Sequence, residues 1–235
     1  MGFSLLNKYY DLLFPANLIV VDRLERLFTL GKKLLDAGCG TGNYALSLAE
    51  KGFEITGIDI NPEFIKLAKK KAQGKENLKF ITLDLTSFHL EESFSGIYCI
   101  GNTLPILGLE GIKKALANFF NHLIPGGLLI GQIVNFTLFL NTGTYPFPEK
   151  KLPEFDLIFR RRYELTGSQV RFFIELIFPQ KGEIYTDQMF LYPVTVDELK
   201  TLLEVAGFRK INFYRDFTLA PYDLEGRDLV FWAQK

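Results

Sequence analysis

The chain has 235 residues, enough to bury a full hydrophobic core without disulfide bonds or metal ions. Its composition, 48% hydrophobic and 23% charged, excludes an intrinsically disordered protein. The 27 lysines and arginines equal the 27 aspartates and glutamates in number, so the total charge lacks the basic excess typical of nucleic-acid binding. We therefore expect no nucleic-acid partner.

Cysteine and histidine are too few and too widely spaced for a disulfide framework or a dedicated metal site. Cys39, Cys99, His89 and His122 form no CxxC, HExxH or HxH motif. The N-terminal segment lacks the basic and apolar regions of a secretory signal, and no uninterrupted apolar run reaches the ~18 residues of a membrane span. We expect a cytoplasmic protein with no metal and no membrane partner.

The first half of the chain alternates short apolar runs with amphipathic segments. The segment Asn61-Pro62-Glu63 is a helix start, because asparagine caps, proline fits the first turn and an acid favours the positive end of the dipole. The pattern predicts strands at 33–36, 53–58, 78–83, 94–100 and 128–134, with helices at 43–51, 62–73 and 110–123. This order is typical of a parallel sheet with helices on both faces, which binds ligands at the carboxyl ends of its strands.

The alternation of apolar runs with amphipathic segments ends after residue 135. Segments rich in Phe, Tyr, Ile and Arg predict three antiparallel strands at 155–165, 169–178 and 183–192. A helix at 196–206 and strands at 208–215 and 228–234 then return to the main sheet. We expect one domain over 1–235, with 155–192 as a small inserted antiparallel sheet.

A glycine-rich loop, Asp36-Ala37-Gly38-Cys39-Gly40-Thr41-Gly42, joins the first predicted strand to the first helix. Glycines let the backbone turn tightly and approach a ligand, and the helix N-terminus offers free N–H groups to an anion. Asp59 ends the second strand, where its two carboxylate oxygens suit a pair of ribose hydroxyls. The GxGxG spacing differs from the GxGxxG of dinucleotide sites, which favours an adenosine with a short amino-acid tail.

The glycine loop and its surroundings resemble the first half of a class I S-adenosylmethionine-dependent methyltransferase, over LLDAGCGTGNYALSLAEKGFEITGIDINPEFIKLAKKKA. The later segments PGGLLIGQIV, AGFRKINFYRDF and DLVFWAQK resemble the fifth strand and the final hairpin of that family. The resemblance covers roughly 33–135 and 195–234. It implies an α/β, Rossmann-like sheet of seven strands in the order 3-2-1-4-5-7-6, with the last strand antiparallel, and S-adenosylmethionine as the cofactor.

The same resemblance implies which residues meet each part of the cofactor. The implied contacts are the methionine part at Gly38, Gly40 and Gly42, the ribose at Asp59, and the adenine at Asp84 and Leu85. The predicted cofactor site is completed by Asp36, Ile60 and Gly101. Two alternatives stay open at this stage: Asp36 could hold the loop through backbone N–H groups, and Asp84 could be a loop cap.

Two further segments concern the methyl acceptor. Ile100-Gly101-Asn102-Thr103-Leu104-Pro105 resembles the GNS segment of glycine and sarcosine N-methyltransferases, which would place Asn102 against the substrate amine or carboxylate, unless Asn102 is only a turn residue. Val134-Asn135-Phe136 resembles an Arg-Asn-Tyr segment whose arginine binds the carboxylate, and valine cannot do so. We expect Asn102 and Asn135 to converge near the transferable methyl, in a pocket more apolar than that of a glycine-specific enzyme.

The N-terminus and the inserted sheet supply the remaining expectations. Residues 1–30 are expected to form lid helices, with Tyr10 either closing over the cofactor or packing on the core. The inserted sheet is expected to roof the substrate pocket. Its Arg160-Arg161-Arg162 run could replace the missing arginine; alternation puts the middle residue on the opposite face from its neighbours, and a solvated outer surface is favoured.

These observations predict a methyltransferase that acts on a nitrogen or oxygen of a small molecule, with the possibility of a homodimer. No catalytic residue is identified, because the sulfonium is already a good leaving group and the enzyme must chiefly position the acceptor. The alternatives are an RNA or protein methyltransferase with the same core, a nicotinamide-dependent oxidoreductase, and a binding module without activity. The GxGxG spacing opposes the oxidoreductase, and the intact loop with its acids opposes the binding module.

Overall fold

Eleven strands and seven helices make up the protein in a computed structural model, which describes residues 2–235 and the side chains from residue 5 onward. The strands are β1 (Lys33–Ala37), β2 (Glu54–Asp59), β3 (Leu78–Thr82), β4 (Phe94–Cys99), β5 (Leu123–Val134), β6 (Lys150–Leu152), β7 (Leu157–Thr166), β8 (Gln169–Phe178), β9 (Glu183–Leu191), β10 (Arg209–Tyr214) and β11 (Asp228–Gln234). The helices are α1 (Gly2–Leu13), α2 (Leu18–Leu27), α3 (Asn43–Ala49), α4 (Pro62–Lys71), α5 (Gly108–His122), α6 (Phe136–Thr142) and α7 (Val196–Val205).

The main sheet has seven strands in the order β10-β11-β5-β4-β1-β2-β3. Strands β1 to β5 are parallel, and β11 runs antiparallel to both β5 and β10. Renumbered within this sheet, the order is the predicted 3-2-1-4-5-7-6 with the last strand antiparallel, so the predicted fold is confirmed. The carboxyl ends of β1, β2, β4 and β5 therefore meet at one edge, where a ligand of such a sheet binds.

Helices cover both faces of the main sheet. Side chains from α2, α3 and α4, among them Leu24, Leu48 and Ile65, pack on one face. Helices α5 and α7 cover the other, with Phe119 and Leu203 fully buried. The cap of α4 is the predicted one: the Asn61 side chain accepts from Glu63 N at 3.0 Å, which satisfies a free N–H of the first turn.

The inserted sheet has four strands in the order β6-β7-β8-β9, all antiparallel. The three predicted strands correspond to β7, β8 and β9. Strand β6, only three residues long, and helix α6 have no counterpart in the sequence prediction. Both depend on contacts made elsewhere in the chain: α6 is capped by Asn135 and buries Phe136 and Phe139 against the inserted sheet.

Helix α1 packs against the inserted sheet. Leu6, Tyr9 and Leu13 lie in one apolar cluster with Phe159 and Ile174 of that sheet. Helix α2, by contrast, packs into the main domain. No helix among residues 2–235 is both long and apolar enough to cross a membrane.

Strand β5 begins earlier than the predicted strand at 128–134. Leu123 already pairs with Phe94, and the Pro-Gly-Gly segment that follows is an irregularity within the strand. The strand continues through it because Gly126 N donates to Lys235 O and Lys235 N donates to Gly127 O, each at 3.0 Å. The C-terminal end of the chain thus holds a segment that proline and glycine would otherwise break.

Candidate active site

The glycine loop leaves β1 and crosses to the end of β2. Gly38 N and Cys39 N both donate to Ile58 O, at 2.8 and 3.0 Å. Gly38, Gly40 and Gly42 all have positive φ, at 79°, 54° and 80°. A side chain is strained in this region, so the path of the loop depends on glycine.

Close approach is the second reason for glycine in this loop. A methyl group on Gly38 would lie 2.6 Å from Thr103 Cγ2, and one on Gly40 would lie 3.2 Å from Tyr10 Oη. Thr103 and Tyr10 thus pack directly against the loop backbone, and only glycine leaves room for them at these positions. A loop without side chains at these positions fits a ligand that contacts the backbone directly, as the sequence predicts for the methionine part of the cofactor.

Asp59 connects the glycine loop to the end of β2. Its Oδ2 accepts from Gly40 N at 2.9 Å, and its Oδ1 accepts from Asn61 N at 2.8 Å. Each carboxylate oxygen has a second lone pair free. Burial raises the pKa of this carboxyl despite these bonds, so hydroxyl donors from a ligand would stabilise the charge.

Asp36 is almost fully buried beneath the loop. It is the second-to-last residue of β1, two positions before Gly38. Burial, with a further contribution from the charge of Asp59, raises the pKa of Asp36 to about 8. No lysine or arginine forms an ion pair with either acid among the side chains from residue 5 onward. Two buried acids without a cation fit a ligand that brings positive charge of its own, as S-adenosylmethionine does.

The predicted adenine side consists of residues after β2 and β3. Ile60 is 68% exposed, an apolar side chain at the rim of the cleft that is available for stacking. Asp84 Oδ1 accepts from Thr86 N and Thr86 Oγ1, both at 2.8 Å, so Asp84 caps its own loop whatever else it binds. Leu85 is buried in the core with 5% exposure, which leaves only its backbone to meet a ligand.

Tyr10 of α1 lies over the glycine loop and contacts Phe64 with ring centroids 4.5 Å apart. Burial raises the pKa of its hydroxyl, and the nearby charges of Asp59 and Asp11 raise it further. The helix is tied down beside it: Thr41 Oγ1 donates to Asp11, and Lys71 Nζ donates to Asp11 Oδ2 at 2.8 Å. Tyr10 therefore lies on the side of α1 that faces the glycine loop.

The loop after β4 is held in a strained conformation by β5. Asn102 has φ of 65°, and Gly101 before it has φ of 81°. Asn102 Oδ1 accepts from Val134 N at 2.9 Å, and Asn102 Nδ2 donates to Tyr163 Oη at 3.2 Å. Asn102 thus joins the main sheet to the inserted sheet, which is more than a turn residue needs.

Asn135 is used differently from Asn102. Its side chain is 1% exposed, donates to Gly226 O at 2.8 Å and caps α6 by accepting from Leu138 N. These bonds hold the segment before β11 against the start of α6. Its Nδ2 also donates to Asp223 O and its Oδ1 also accepts from Tyr222 Oη, each at 3.4 Å, so both polar atoms of this side chain are engaged within the protein.

Gln132 and Asp228 form a polar link that sequence reasoning did not single out. Gln132 Oε1 accepts from Gly101 N at 2.8 Å, and Gln132 Nε2 donates to Asp228 Oδ1 at 2.9 Å. Burial raises the pKa of Asp228. The sequence contained two signals for this link. One is the glutamine within the apolar run LLIGQIV, and the other is the acid at the first position of the last strand.

Tyr145 and Tyr163 connect the region of Asp228 to that of Arg161: their rings lie 5.4 Å apart, and Tyr163 is two residues from Arg161 on β7. Burial raises the pKa of the Tyr145 and Tyr163 hydroxyls; the negative charge of Asp228 raises both further, whereas the positive charge of Arg161 lowers both. Tyr145 Oη donates to Arg227 O at 3.1 Å. The two hydroxyls are therefore influenced by an acid on one side and a base on the other.

The expectation that the arginine run forms a solvated outer surface is wrong for Arg161. Arg160 and Arg162 are exposed, but Arg161 is half-buried and its guanidinium lies 4.8 Å from the ring centroid of Phe147. Strand alternation, correctly anticipated, puts it on the inner face, and that face is covered by α1 and α6 rather than by solvent.

The chain matches known proteins both in sequence and in structure. A family model described as a methyltransferase domain matches residues 34–127. The glycine/sarcosine N-methyltransferase of Aphanothece halophytica is 31% identical over 200 residues, which are 79% of this chain and 69% of that relative. The protein belongs to the class I S-adenosylmethionine-dependent methyltransferases. Its cofactor is S-adenosylmethionine, as in the rest of the family.

Solved structures of methyltransferases share the fold of this methyltransferase. The CcbJ methyltransferase from Streptomyces caelestis superposes with a TM-score of 0.84 at 19% identity, over 97% of this chain and 95% of that one. An amino pentose methyltransferase from Micromonospora echinaspora, solved with S-adenosylmethionine bound, superposes with a TM-score of 0.72 at 21% identity, over 92% and 89% of the two chains.

Proposed function

We propose that this methyltransferase transfers its methyl group to the amine nitrogen of a small molecule. The observation that carries the proposal is the link from Gly101 through Gln132 to Asp228, which sets a half-buried carboxylate beside the loop that holds Asn102. A carboxylate at this place suits an acceptor that arrives as an ammonium ion. A hydroxyl acceptor would gain less from it, because a neutral hydroxyl does not offset the cost of burying the charge.

Bound S-adenosylmethionine supplies an electrophilic methyl carbon on a sulfonium. The residues of the chain then have two tasks, to hold the acceptor in line and to free its lone pair. Asp228 accepts a hydrogen bond from the acceptor ammonium and can take its proton, since burial has raised the pKa of its carboxyl. Asn102 and Tyr163 fix the loop beside it through their mutual hydrogen bond.

We propose that the residues predicted from the sequence form the cofactor site. We expect the glycine loop to hold the methionine part, with Asp36 beneath it and Asp59 at the ribose. Ile60, Asp84 and the backbone of Leu85 would face the adenine. Tyr10 would close the site, with α1 acting as a lid over it.

Relatives support a small amine as acceptor. One similar chain is named for glycine and sarcosine N-methylation, and one similar structure is described as an amino pentose methyltransferase. The inserted sheet supports a small acceptor in a second way. Tyr145, Phe147 and Tyr163 pack on one another at centroid distances of 4.6 to 5.4 Å, a closed aromatic roof that leaves little room for a macromolecule.

The test uses trideuteromethyl S-adenosylmethionine with a panel of small primary amines and the corresponding alcohols, read by mass spectrometry. We expect transfer to amines, with the label on nitrogen. Asp228→Asn should lower kcat/KM about 10²-fold or more, as for loss of a general base. Asp197→Asn, an exposed acid in the first turn of α7, is the matched control and should change it little. Transfer to alcohols alone would refute the proposal.

A further inference from the structure

Arg161 differs from the two arginines beside it in having no acidic partner. Arg160 pairs with Glu149, and Arg162 pairs with Glu164 at 3.1 Å. Among the side chains described from residue 5 onward, Arg161 makes neither an ion pair nor a hydrogen bond, and its Nε is buried without a partner. A half-buried guanidinium with a buried, unpartnered Nε is costly, so it calls for an explanation in function rather than in stability.

The position of Arg161 along β7 places it between the two ends of the candidate site. Phe159, two residues before it, packs on Phe14, the residue that follows α1, with centroids 5.5 Å apart. Tyr163, two residues after it, holds Asn102. Side chains two residues apart share a face and are separated by about 6–7 Å along a strand. Arg161 therefore faces the gap between the proposed lid helix and the loop after β4.

The surroundings of the guanidinium hold it flat and leave its edge free. Its central carbon lies 4.8, 5.2 and 5.8 Å from the ring centroids of Phe147, Phe159 and Phe14. Aromatic faces stack on the plane of a guanidinium, while its N–H donors point outward from the edge. The rings thus orient the donors without satisfying them.

A second cation lies close to the first. Lys150 of β6 is half-buried, and its Nζ lies 5.0 Å from the ring centroid of Phe14, the same ring that lies 5.8 Å from the guanidinium carbon of Arg161. Burial lowers the pKa of Lys150, and the charge of Arg161 lowers it further. Lys150 Nζ donates to Leu13 O and pairs with no acid among the described side chains. Two neighbouring cations without an acid between them form a site of positive potential, which favours a bound anion.

A cavity gives access to this arginine. Strand β6 pairs only with residues 157–159 of β7, so the edge of β7 is open beyond that point. A cavity of about 230 Å³ lies at this edge. Arg160, Arg162, Phe173 and Glu175 line it from the outer face of the sheet, and Arg161 and Phe147 complete the lining from the inner side of β7. Glu149 already pairs with Arg160, and Glu175 lies directly opposite Arg160 on β8. Arg161 is the cation of this cavity that remains available.

We infer that Arg161 binds an anionic group of the methyl acceptor, a carboxylate held by the guanidinium fork. The acceptor class is then an amine that carries a carboxylate on an apolar body, with the amine at Asp228 and the carboxylate at Arg161. Glycine itself is too short to need this arrangement, because Tyr145, bound to the carbonyl next to Asp228, and Tyr163, two residues from Arg161 on the same strand, pack on each other between the two charges. The amine end rests on the proposed function, whereas the carboxylate end can be tested separately.

The first test measures anion binding without any methyl transfer. Benzoate and benzamide are titrated into the protein saturated with S-adenosylhomocysteine, and binding is followed by ligand-observed NMR. We expect benzoate to bind more tightly than benzamide. Arg161→Met, which keeps an apolar side chain of similar length, should weaken benzoate about tenfold or more. Arg161→Lys, which keeps the charge without the fork, should give an intermediate loss.

Arg160→Met is the matched control, since it removes an arginine from the same cavity on the opposite face of β7. It should leave benzoate affinity within about twofold, a difference too small to represent a lost charged hydrogen bond. Equal benzoate affinity in the wild type and Arg161→Met, or an equal loss in Arg160→Met, would overturn the inference. Thermal melting of each variant, with and without S-adenosylhomocysteine, identifies any that fail to fold; Arg161→Lys then serves as the informative variant.

The second test connects the anion to the acceptor. Methylation of 4-(aminomethyl)benzoate is compared with that of 4-(aminomethyl)benzamide, two amines of the same shape. We expect Arg161→Met to raise KM for the acid and to leave KM for the amide unchanged. Benzoate binding that depends on Arg161, without methylation of any amine, would refute the proposed function while the anion site stands. Methylation of both amines, unaffected by Arg161→Met, would refute the anion site alone.

Discussion

Asn102 Nδ2 donates to the Tyr163 hydroxyl at 3.2 Å, and this bond joins the loop after β4 to the inserted sheet. The loop belongs to the cofactor edge of the main sheet, whereas Tyr163 belongs to the roof. A change in the roof is therefore transmitted directly to the residue proposed to position the acceptor. The aromatic neighbours of Tyr163, among them Phe136 stacked at 5.9 Å, keep the hydroxyl in place.

Removing the Asn102 side chain should impair turnover and spare cofactor binding. Because Asn102 has φ of 65°, Asn102→Gly is the cleaner variant: glycine adopts this conformation without strain, whereas alanine does not. We expect kcat to fall about tenfold or more, with the Kd of S-adenosylhomocysteine within about twofold of wild type. Steady-state kinetics and calorimetry measure the two effects. Unaltered turnover would show that Asn102 only shapes the turn.

Loss of the Asp59 carboxylate should weaken the cofactor. We expect Asp59→Ala to reduce the binding free energy of S-adenosylhomocysteine by about 1.5–3 kcal/mol, the range for hydrogen bonds to a charged group. The protein should still fold, because Asp59 lies at a strand end and not in the core. Asp59→Asn retains one carbonyl acceptor and should lose less. An unchanged Kd for Asp59→Ala in calorimetry would move ribose recognition to another residue.

Two glycines with the same backbone strain should respond differently to alanine. Gly40 and Gly52 have φ of 54° and 84°, but a methyl group on Gly52 meets no atom within 4 Å, whereas one on Gly40 points at Tyr10. Both substitutions should cost roughly 1–2 kcal/mol of stability from the left-handed conformation. Gly40→Ala alone should reduce affinity for S-adenosylhomocysteine. Equal binding by the two variants, measured by calorimetry, would remove the loop from the proposed cofactor site.

The ionisation of Asp36 should make both stability and cofactor binding depend on pH. Its pKa in the folded protein, about 8, lies above that of the unfolded chain, so the ionisation of Asp36 destabilises the fold as pH rises from about 4 to 8. The melting temperature of the ligand-free protein should therefore fall over this range. The titratable neighbours of Asp36 are Asp59, Tyr98, Tyr10, Tyr44, Cys39 and Cys99.

S-adenosylmethionine brings positive charge to this carboxyl and should favour its ionised form. Binding below pH 8 should then release a proton, and affinity should rise with pH up to about 8. Calorimetry in two buffers of different ionisation enthalpy measures the released proton. In Asp36→Asn both the proton release and this rise in affinity should disappear. The same proton release in that variant would assign the ionisation to another group.

The main sheet and the cofactor edge were predictable because their signals are local. The glycine loop, the Asn61 cap and the run of buried strands each fit within a few residues. Once the strands are taken as parallel, Gly40 and Asp59 must meet at one edge, and they do, at 2.9 Å.

The acceptor side was not predictable in the same way. Arg161, Tyr163 and Asp228 acquire their surroundings from contacts between segments far apart in the chain. Alternation showed that Arg161 shares a face with Phe159 and Tyr163, but not that α1 and the loop after β4 cover that face. The partners of Asn135 were equally hidden: its sequence context resembles a substrate site, and in the structure its amide holds Gly226 and caps α6.

The position of the transferred methyl tests the account most directly. 4-(Aminomethyl)phenol carries an amine and a hydroxyl on one molecule. A single reaction with trideuteromethyl S-adenosylmethionine therefore compares methyl transfer to nitrogen with methyl transfer to oxygen. Tandem mass spectrometry of the product distinguishes the two positions. We expect the label on the amine nitrogen, with much less label transferred by Asp228→Asn. Label on the phenol oxygen, at a rate unaffected by Asp228→Asn, would contradict the account.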